Sequence, residues 1–146
     1  MKKYLIFLLL VNTAFAANSH LVLMNHFGKP LVFTASNDTP CLKQSFPILL
    51  KNNQSVFIRP QPGNGEGCSV LLQGATIDTL VQPKKPQEFV NFRADFNQLN
   101  NGAYYTEISG YIGQDIAYSW NYDKTDTTFI VFCKPSVYQQ YNRCPL

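Results

Sequence analysis

The strongest strand signals in the chain lie in the stretch Asp115–Cys133, DIAYSWNYDKTDTTFIVFC. Two runs rich in aromatic and β-branched residues flank the polar turn DKTD, a pattern typical of a β-hairpin. The second run, TFIVFC, is apolar on both faces, which indicates a central strand. The stretch therefore predicts a fold built around antiparallel β-structure.

The first run of this hairpin has an aromatic face and a polar face, because successive side chains of a strand point in opposite directions. The aromatic face carries Tyr118, Trp120 and Tyr122, and the polar face carries Ser119 and Asn121. Burial of apolar surface stabilises a fold by roughly 25 cal/mol per Å². We therefore expect the aromatic face to lie in the core. The alternative is that the three rings form an exposed platform on which a ligand stacks.

The rest of the chain also consists of short β-favouring runs separated by turn residues. A first hairpin is predicted from HLVLM and LVFTAS, which are joined through Gly28 and Pro30. Further strands are predicted from QSVFIRP, CSVLLQ, TIDTLVQ, QEFVNF and YYTEISGYIG, whereas RADFNQLNN is compatible with one short helical turn. About eight or nine strands without intervening helices predict an all-β fold, an antiparallel β-sandwich, with a small β-barrel as the alternative.

The first sixteen residues have the features of a secretory signal peptide. Lys2 and Lys3 precede the apolar run YLIFLLLV, and Ala14-Phe15-Ala16 supplies small residues at the cleavage site. We expect cleavage after Ala16, which leaves a single domain over residues 17–146. The short lysine start is typical of bacterial signals, and no later apolar run approaches the roughly 18 residues of a transmembrane helix. These features predict a secreted or periplasmic protein with no integral membrane segment after cleavage.

The cysteine pattern predicts two disulfides. An even number of cysteines in an exported chain is typical of a disulfide framework. The chain has four: Cys41, Cys68, Cys133 and Cys144. Three pairings are possible, and we favour Cys41 with Cys68 and Cys133 with Cys144 because each of these closes the shorter loop.

The charge of the chain gives no reason to expect nucleic acid as a partner. Removing Lys2 and Lys3 from the twelve basic residues leaves ten, against nine acidic ones. Binding to phosphate backbones depends on clustered lysine and arginine side chains. The only lysine pair after the leader is Lys84-Lys85, so we expect no nucleic-acid binding.

Signals for catalysis are weak. The only histidines are His20 and His26, and oxidised cysteines cannot act as nucleophiles. There is no CxxC metal motif and no phosphate-binding glycine loop, and Asp123 and Asp126 in the DKTD turn are typical of turn chemistry rather than of a calcium site. We expect no metal and no cofactor. The alternative function is a small secreted hydrolase of polysaccharide or peptidoglycan that uses a carboxylate pair. The sequence offers five candidate carboxylates: Glu66, Glu88, Asp95, Glu107 and Asp115.

The strand before the hairpin, YYTEISGYIG, offers a candidate binding face. Glu107 cannot easily be buried without a partner, so its face of the strand should be exposed. Tyr105 and Tyr111 fall on the same face by alternation, provided that Gly110 introduces no bulge.

Ser119 and Asn121 would join this face if the strand pairs with the next one along the chain. Tyrosines beside a carboxylate and an amide are suited to stacking on a sugar ring or to anchoring a protein partner. All seven tyrosines after the leader, and the tryptophan, lie between residues 104 and 141. We therefore predict a non-catalytic binding module whose partner is a glycan or a surface or host protein. A lipid-surface or pore-forming module is a third alternative, although its candidate loop, QPGNGEG, is polar.

The segment LVLMNHFGKPLVFTAS, followed by a cysteine and by ILLKNNQSVFI, resembles the first hairpin of several exported β-sandwich families, including thaumatin-like and aegerolysin-like proteins. The resemblance covers about forty residues after the leader and includes no diagnostic cysteine framework. It implies a sandwich fold and transfers no functional residues.

Overall fold

The structure is a computed structural model that describes six segments of the chain: residues 20–36, 41–61, 68–82, 87–98, 104–122 and 127–146. For six residues inside the strands only the backbone is described: His20, Gln98, Tyr104, Tyr105, Gln114 and Tyr122. Four features of the sequence lie outside the described residues: the leader, most of the loop QPGNGEG including Glu66, the pair Lys84-Lys85 and the turn DKTD.

The first sheet has four strands, numbered here in chain order. It contains β1 (His20–His26), β4 (Ser55–Ile58), β8 (Ala117–Tyr122) and β9 (Thr127–Cys133). Their order across the sheet is β4-β1-β9-β8. β9 lies in the middle, as predicted, and pairs in parallel with β1 and antiparallel with β8.

The second sheet has five strands: β2 (Leu31–Ala35), β3 (Ile48–Leu50), β5 (Cys68–Thr76), β6 (Phe89–Gln98) and β7 (Tyr104–Gln114). Their order is β3-β2-β5-β6-β7, and every neighbouring pair is antiparallel. Two short helices complete the described elements: α1 (Ile77–Val81) and α2 (Pro135–Tyr141).

The core lies between the two sheets, where their apolar faces meet. Phe33, Phe92 and Phe132 are among its largest fully buried side chains. The ring of Phe132 on β9 lies 5.3 Å from that of Phe33 and 6.2 Å from that of Phe92, so β9 contacts residues of the opposite sheet. The two open sheets confirm the predicted all-β sandwich of nine strands rather than the barrel.

The predicted hairpin between HLVLM and LVFTAS is wrong. The two runs form β1 and β2, but these strands belong to different sheets. Asn25 stabilises the turn between them, since its Nδ2 donates to the carbonyl oxygens of Lys29 and Leu50 while its Oδ1 accepts from the Phe27 amide. Gly28 then adopts a φ of 97°, which favours glycine. The turn carries the chain across the core rather than back along the same sheet.

Two further local predictions are wrong. TIDTLVQ, expected as a strand, contains the helix α1, whose N-cap Thr76 accepts a hydrogen bond from the Thr79 amide. Its alternating pattern was too short to distinguish one helical turn from a strand. RADFNQ, expected as a helical turn, continues strand β6, where Arg93 pairs with Ser69 and Asp95 through side-chain hydrogen bonds.

Both favoured disulfides are confirmed. Cys41 bonds to Cys68, and Cys133 bonds to Cys144. The second bridge holds α2 and the tail that follows it against the end of β9. In the described part of the chain, no helix is both long and apolar enough to cross a membrane.

Candidate aromatic binding site

A β-bulge at Gly110 changes the direction of the side chains that follow it on β7. Ser109 lies opposite Arg93, whereas Ile112 lies opposite Asn91, so β7 has one more residue than β6 between these pairs. Gly110 has a φ of 60°, a conformation typical of glycine in bulges. The alternation of side chains along β7 therefore shifts by one residue after Ser109.

Because of this bulge, the predicted outward orientation of Tyr111 is wrong. Its ring faces the core, where it stacks on Phe92 at a centroid distance of 5.8 Å. Glu107, which precedes the bulge, is exposed as expected. The side chain of Tyr105 lies outside the described part of the chain.

The predicted pairing of β7 with β8 is also wrong. β7 is an edge strand of the second sheet, and β8 is an edge strand of the first. Asp115, with a φ of 60°, begins the short connection that takes the chain from one sheet to the other. The five residues predicted as one binding face therefore belong to two sheets.

On β8, Ser119 lies away from the core, as predicted, but the C-terminal tail lies beside it. Its hydroxyl donates to the Cys144 carbonyl oxygen and accepts from the Cys144 amide, both at 3.0 Å. The Ser119 hydroxyl therefore holds the C-terminal tail beside β8. Asn121, two residues further along, is exposed.

Trp120 is solvent-exposed over 48% of its surface, so its predicted place in the core is wrong. Tyr118, on the same face of β8, does pack against the core, as expected. β8 is the edge of its sheet, and its aromatic face is covered over only part of its length. The platform alternative, in which the rings on β8 are exposed, therefore applies to Trp120.

Four aromatic rings line a cleft of about 490 Å³ between the edge strands of the two sheets. Tyr111 comes from β7, Tyr118 and Trp120 come from β8, and Tyr138 comes from α2. The rings of Tyr111 and Tyr118 stack with their planes 16° apart. We call this the aromatic cleft. Among the described residues that line it, none is charged.

Tyr111 and Tyr118 of the aromatic cleft remain neutral at ordinary pH. Burial raises the pKa of Tyr111, and the neighbouring Tyr118 raises it further. Burial also raises the pKa of Tyr118, with a smaller contribution from Tyr138. A neutral phenol both donates and accepts a hydrogen bond, so the cleft combines apolar ring faces with uncharged polar groups.

A second cleft, of about 350 Å³, also has Trp120 in its lining. We call it the tail cleft, because residues of the C-terminal tail form one of its walls. Its lining includes Trp120, Asn121, Phe129, Arg143 and Leu146. Ser119 and Trp120 border both clefts, so the two adjoin along β8.

The described carboxylates give little support to a hydrolytic pair. Glu88 forms an ion pair with Lys29, and Asp95 forms one with Arg93, both at 2.9 Å. No described Asp or Glu lines the aromatic cleft or the tail cleft. In the described segments, no group of three or more His, Cys, Asp or Glu side chains is arranged to hold a metal ion.

Sequence reasoning located the region of the aromatic cleft but missed one of its four rings. The concentration of tyrosines after residue 104 indicated the third of the chain in which the aromatic cleft lies. Tyr138 was not singled out, although the Cys133–Cys144 bridge was expected to pin its segment against the end of a strand.

No protein-family model matches the chain, and no curated protein matches it either.

Proposed function

We propose that the chain is a non-catalytic binding module that acts outside the cytoplasm and takes a glycan in the aromatic cleft. The observation that carries this proposal is the grouping of four aromatic rings around one cleft whose described lining residues are uncharged. Aromatic faces pack against the apolar faces of sugar rings, and the hydroxyl of the exposed Tyr138 supplies hydrogen bonds at the rim.

The shape of the cleft favours a glycan over a protein partner. Protein interfaces typically bury roughly 800 Å² on each side over a broad surface. Small-molecule sites are concave, with volumes of roughly 300–1,000 Å³. The aromatic cleft, at about 490 Å³, falls within the second class.

The surrounding structure supports a site that is largely formed before the ligand arrives. Tyr111 and Tyr118 are packed on the core, and the Cys133–Cys144 bridge restrains the segment that carries Tyr138. A rigid site loses less conformational entropy on binding. Affinity can therefore come from a few stacking contacts.

Two disulfides in a small all-β fold are compatible with an extracellular module and an oxidising environment. The predicted signal peptide supports the same location, either the periplasm or the medium. The disulfides and the predicted signal peptide support this location whatever ligand the cleft binds.

The first test compares Trp120→Ala with a matched control, Phe57→Ala, on a glycan array. Phe57 is exposed over 47% of its surface, against 48% for Trp120, and it lies on β4 at the opposite edge of the same sheet. We expect Trp120→Ala to weaken glycan binding at least tenfold, because it removes a stacking face, while Phe57→Ala binds like the unmodified protein. Thermal unfolding of both variants checks that the fold is retained. Binding of no glycan by the unmodified protein, or equal binding by both variants, would contradict the proposal.

A further inference from the structure

We infer that the ligand is an acidic oligosaccharide that lies across Trp120, with sugar rings in the aromatic cleft and an anionic group beside Arg143 in the tail cleft. This inference rests on the proposed glycan-binding function. It adds two properties of the ligand, its negative charge and its minimum number of sugars.

The minimum number of sugars follows from the way in which the two clefts adjoin. Trp120 and Ser119 border both, and each cleft on its own has a volume typical of a small-molecule site. A single sugar ring would occupy one cleft and leave the other to solvent. A chain of three or more sugars can place one ring in each cleft and one against Trp120, which borders both.

The negative charge of the ligand follows from the difference between the side chains that line the two clefts. The described lining of the aromatic cleft has no charged residue, whereas that of the tail cleft contains Arg143 and neither Asp nor Glu. Arg143 is exposed and forms no ion pair with any described residue. An arginine guanidinium binds a carboxylate or sulfate through paired hydrogen bonds. The nearby amide of Asn121 supplies a further donor.

The backbone on both sides of Arg143 is fixed. Asn142 adopts a left-handed conformation, with a φ of 53°, where α2 ends. Cys144 is tied by its disulfide and by two hydrogen bonds to Ser119. The Pro145 carbonyl oxygen lies 3.0 Å from Nδ1 of His26. Arg143 therefore extends from a positioned segment, which reduces the entropy lost when it pairs with an anion.

The decisive experiment uses immobilised uronic-acid oligosaccharides of two, four and six sugars, each beside a counterpart whose carboxyl groups have been reduced to alcohols. Sulfated oligosaccharides form a separate arm that distinguishes sulfate from carboxylate recognition. The proteins are the unmodified chain, Arg143→Gln, Arg143→Lys and the control Lys51→Gln. Lys51 is an exposed residue that follows β3, at the edge of the second sheet opposite β7, and its replacement removes the same formal charge.

We expect the unmodified protein to bind an acidic oligosaccharide of four or more sugars at least tenfold more tightly than its neutral counterpart. Arg143→Gln should remove this preference, so that it binds the acidic oligosaccharide and the neutral counterpart with equal affinity. Arg143→Lys should retain part of the preference, and Lys51→Gln should retain all of it. Added salt should reduce the preference of the unmodified protein and have no effect on Arg143→Gln.

Equal binding of acidic and neutral counterparts, unchanged in Arg143→Gln, would overturn this inference and leave the proposed function intact. Equal binding of disaccharides and longer oligosaccharides would overturn the predicted minimum number of sugars. Failure of every glycan to bind would instead contradict the proposed function itself.

Discussion

The two lateral edges of the sandwich differ in how the chain covers them. At one edge lie β3 and β4, and at the other lie β7 and β8. Among the described strand residues, Phe57 at the first edge and Trp120 at the second are exposed to almost the same degree, 47% and 48%. Exposure alone therefore does not distinguish them.

At the β3/β4 edge, neighbouring groups cover the aromatic ring and the strand end. The guanidinium carbon of Arg59 lies 5.2 Å from the centre of the Phe57 ring. The Lys43 amide donates to the Arg59 carbonyl oxygen, and Leu42 bridges to Pro60, so a preceding segment closes against the end of β4. At this edge, groups of the chain itself contact both the ring and the strand end.

At the β7/β8 edge, the covering segment leaves two clefts beside Trp120. α2 and the tail lie alongside β8, and they contribute Tyr138 to one cleft and Arg143 to the other. The comparison shows that a concave arrangement of several rings, rather than one exposed ring, marks a candidate site. Each of the following predictions tests this difference between the two edges.

The largest expected effect comes from removing the disulfides one at a time. Replacing both Cys133 and Cys144 with alanine should lower the free energy of unfolding by about 3 kcal/mol, because the unfolded chain regains loop entropy. Replacing Cys41 and Cys68 should have an effect of similar size. Urea denaturation measures both changes.

Only the first of these double variants should lose glycan binding under conditions in which both remain folded. The Cys133–Cys144 bridge restrains the walls of the clefts, whereas Cys41–Cys68 links a segment near the β3/β4 edge to β5. If both double variants bind equally well, the tail has no role in forming the site.

A smaller effect is expected from Tyr138→Ala, with Tyr141→Ala as its control. Both tyrosines are exposed residues of α2, but among them only Tyr138 lines the aromatic cleft. Loss of one stacking contact of about 1 kcal/mol corresponds to a roughly fivefold weaker affinity for the best glycan of the array. Isothermal titration calorimetry measures the change. An equal loss in Tyr141→Ala would show that the effect arises from α2 as a whole and not from the cleft.

The smallest effect concerns stability at alkaline pH. The raised pKa of Tyr111 means that the unfolded chain loses this proton at a lower pH than the folded chain does. The stability contributed by neutral Tyr111 is therefore fully present below about pH 10, the pKa of an unperturbed tyrosine, and is lost as the pH rises above it.

Tyr111→Phe should accordingly reduce the decline in stability between about pH 10 and pH 11. At neutral pH the variant should be as stable as the unmodified protein or slightly more stable, because no described residue bonds to the buried Tyr111 hydroxyl. Urea denaturation at several pH values gives the slope of the free energy of unfolding against pH. Tyr141→Phe is the control, and its slope should equal that of the unmodified protein. A slope that Tyr111→Phe does not change would show that Tyr111 is not buried as described.

Much of the fold could be predicted because its signals are local. Alternation and a turn defined the β8–β9 hairpin, a continuous apolar run marked β9 as central, and loop length favoured the correct disulfides. Each of these features depends on residues that are close in sequence or on simple chain entropy.

The site could not be predicted to the same degree because it depends on contacts between sheets. One residue with a left-handed backbone, Gly110, turns Tyr111 from the predicted outer face to the core. The exposure of Trp120 depends on the position of β8 at a sheet edge, which no property of AYSWNY indicates. Sequence alternation assigns side chains to faces, but it does not show which face another sheet covers.

The parallel pairing of β1 with β9 has a consequence for the order of folding. Residue 20 lies opposite residue 127, so the middle of the first sheet joins the two most distant strands of the described chain. Within the second sheet, β5, β6 and β7 are consecutive and can associate as soon as each has been synthesised. The first sheet must wait for β9, and contacts between residues so far apart in sequence slow folding. We therefore expect the three-stranded meander to form early, and the edge that carries the clefts to be completed last.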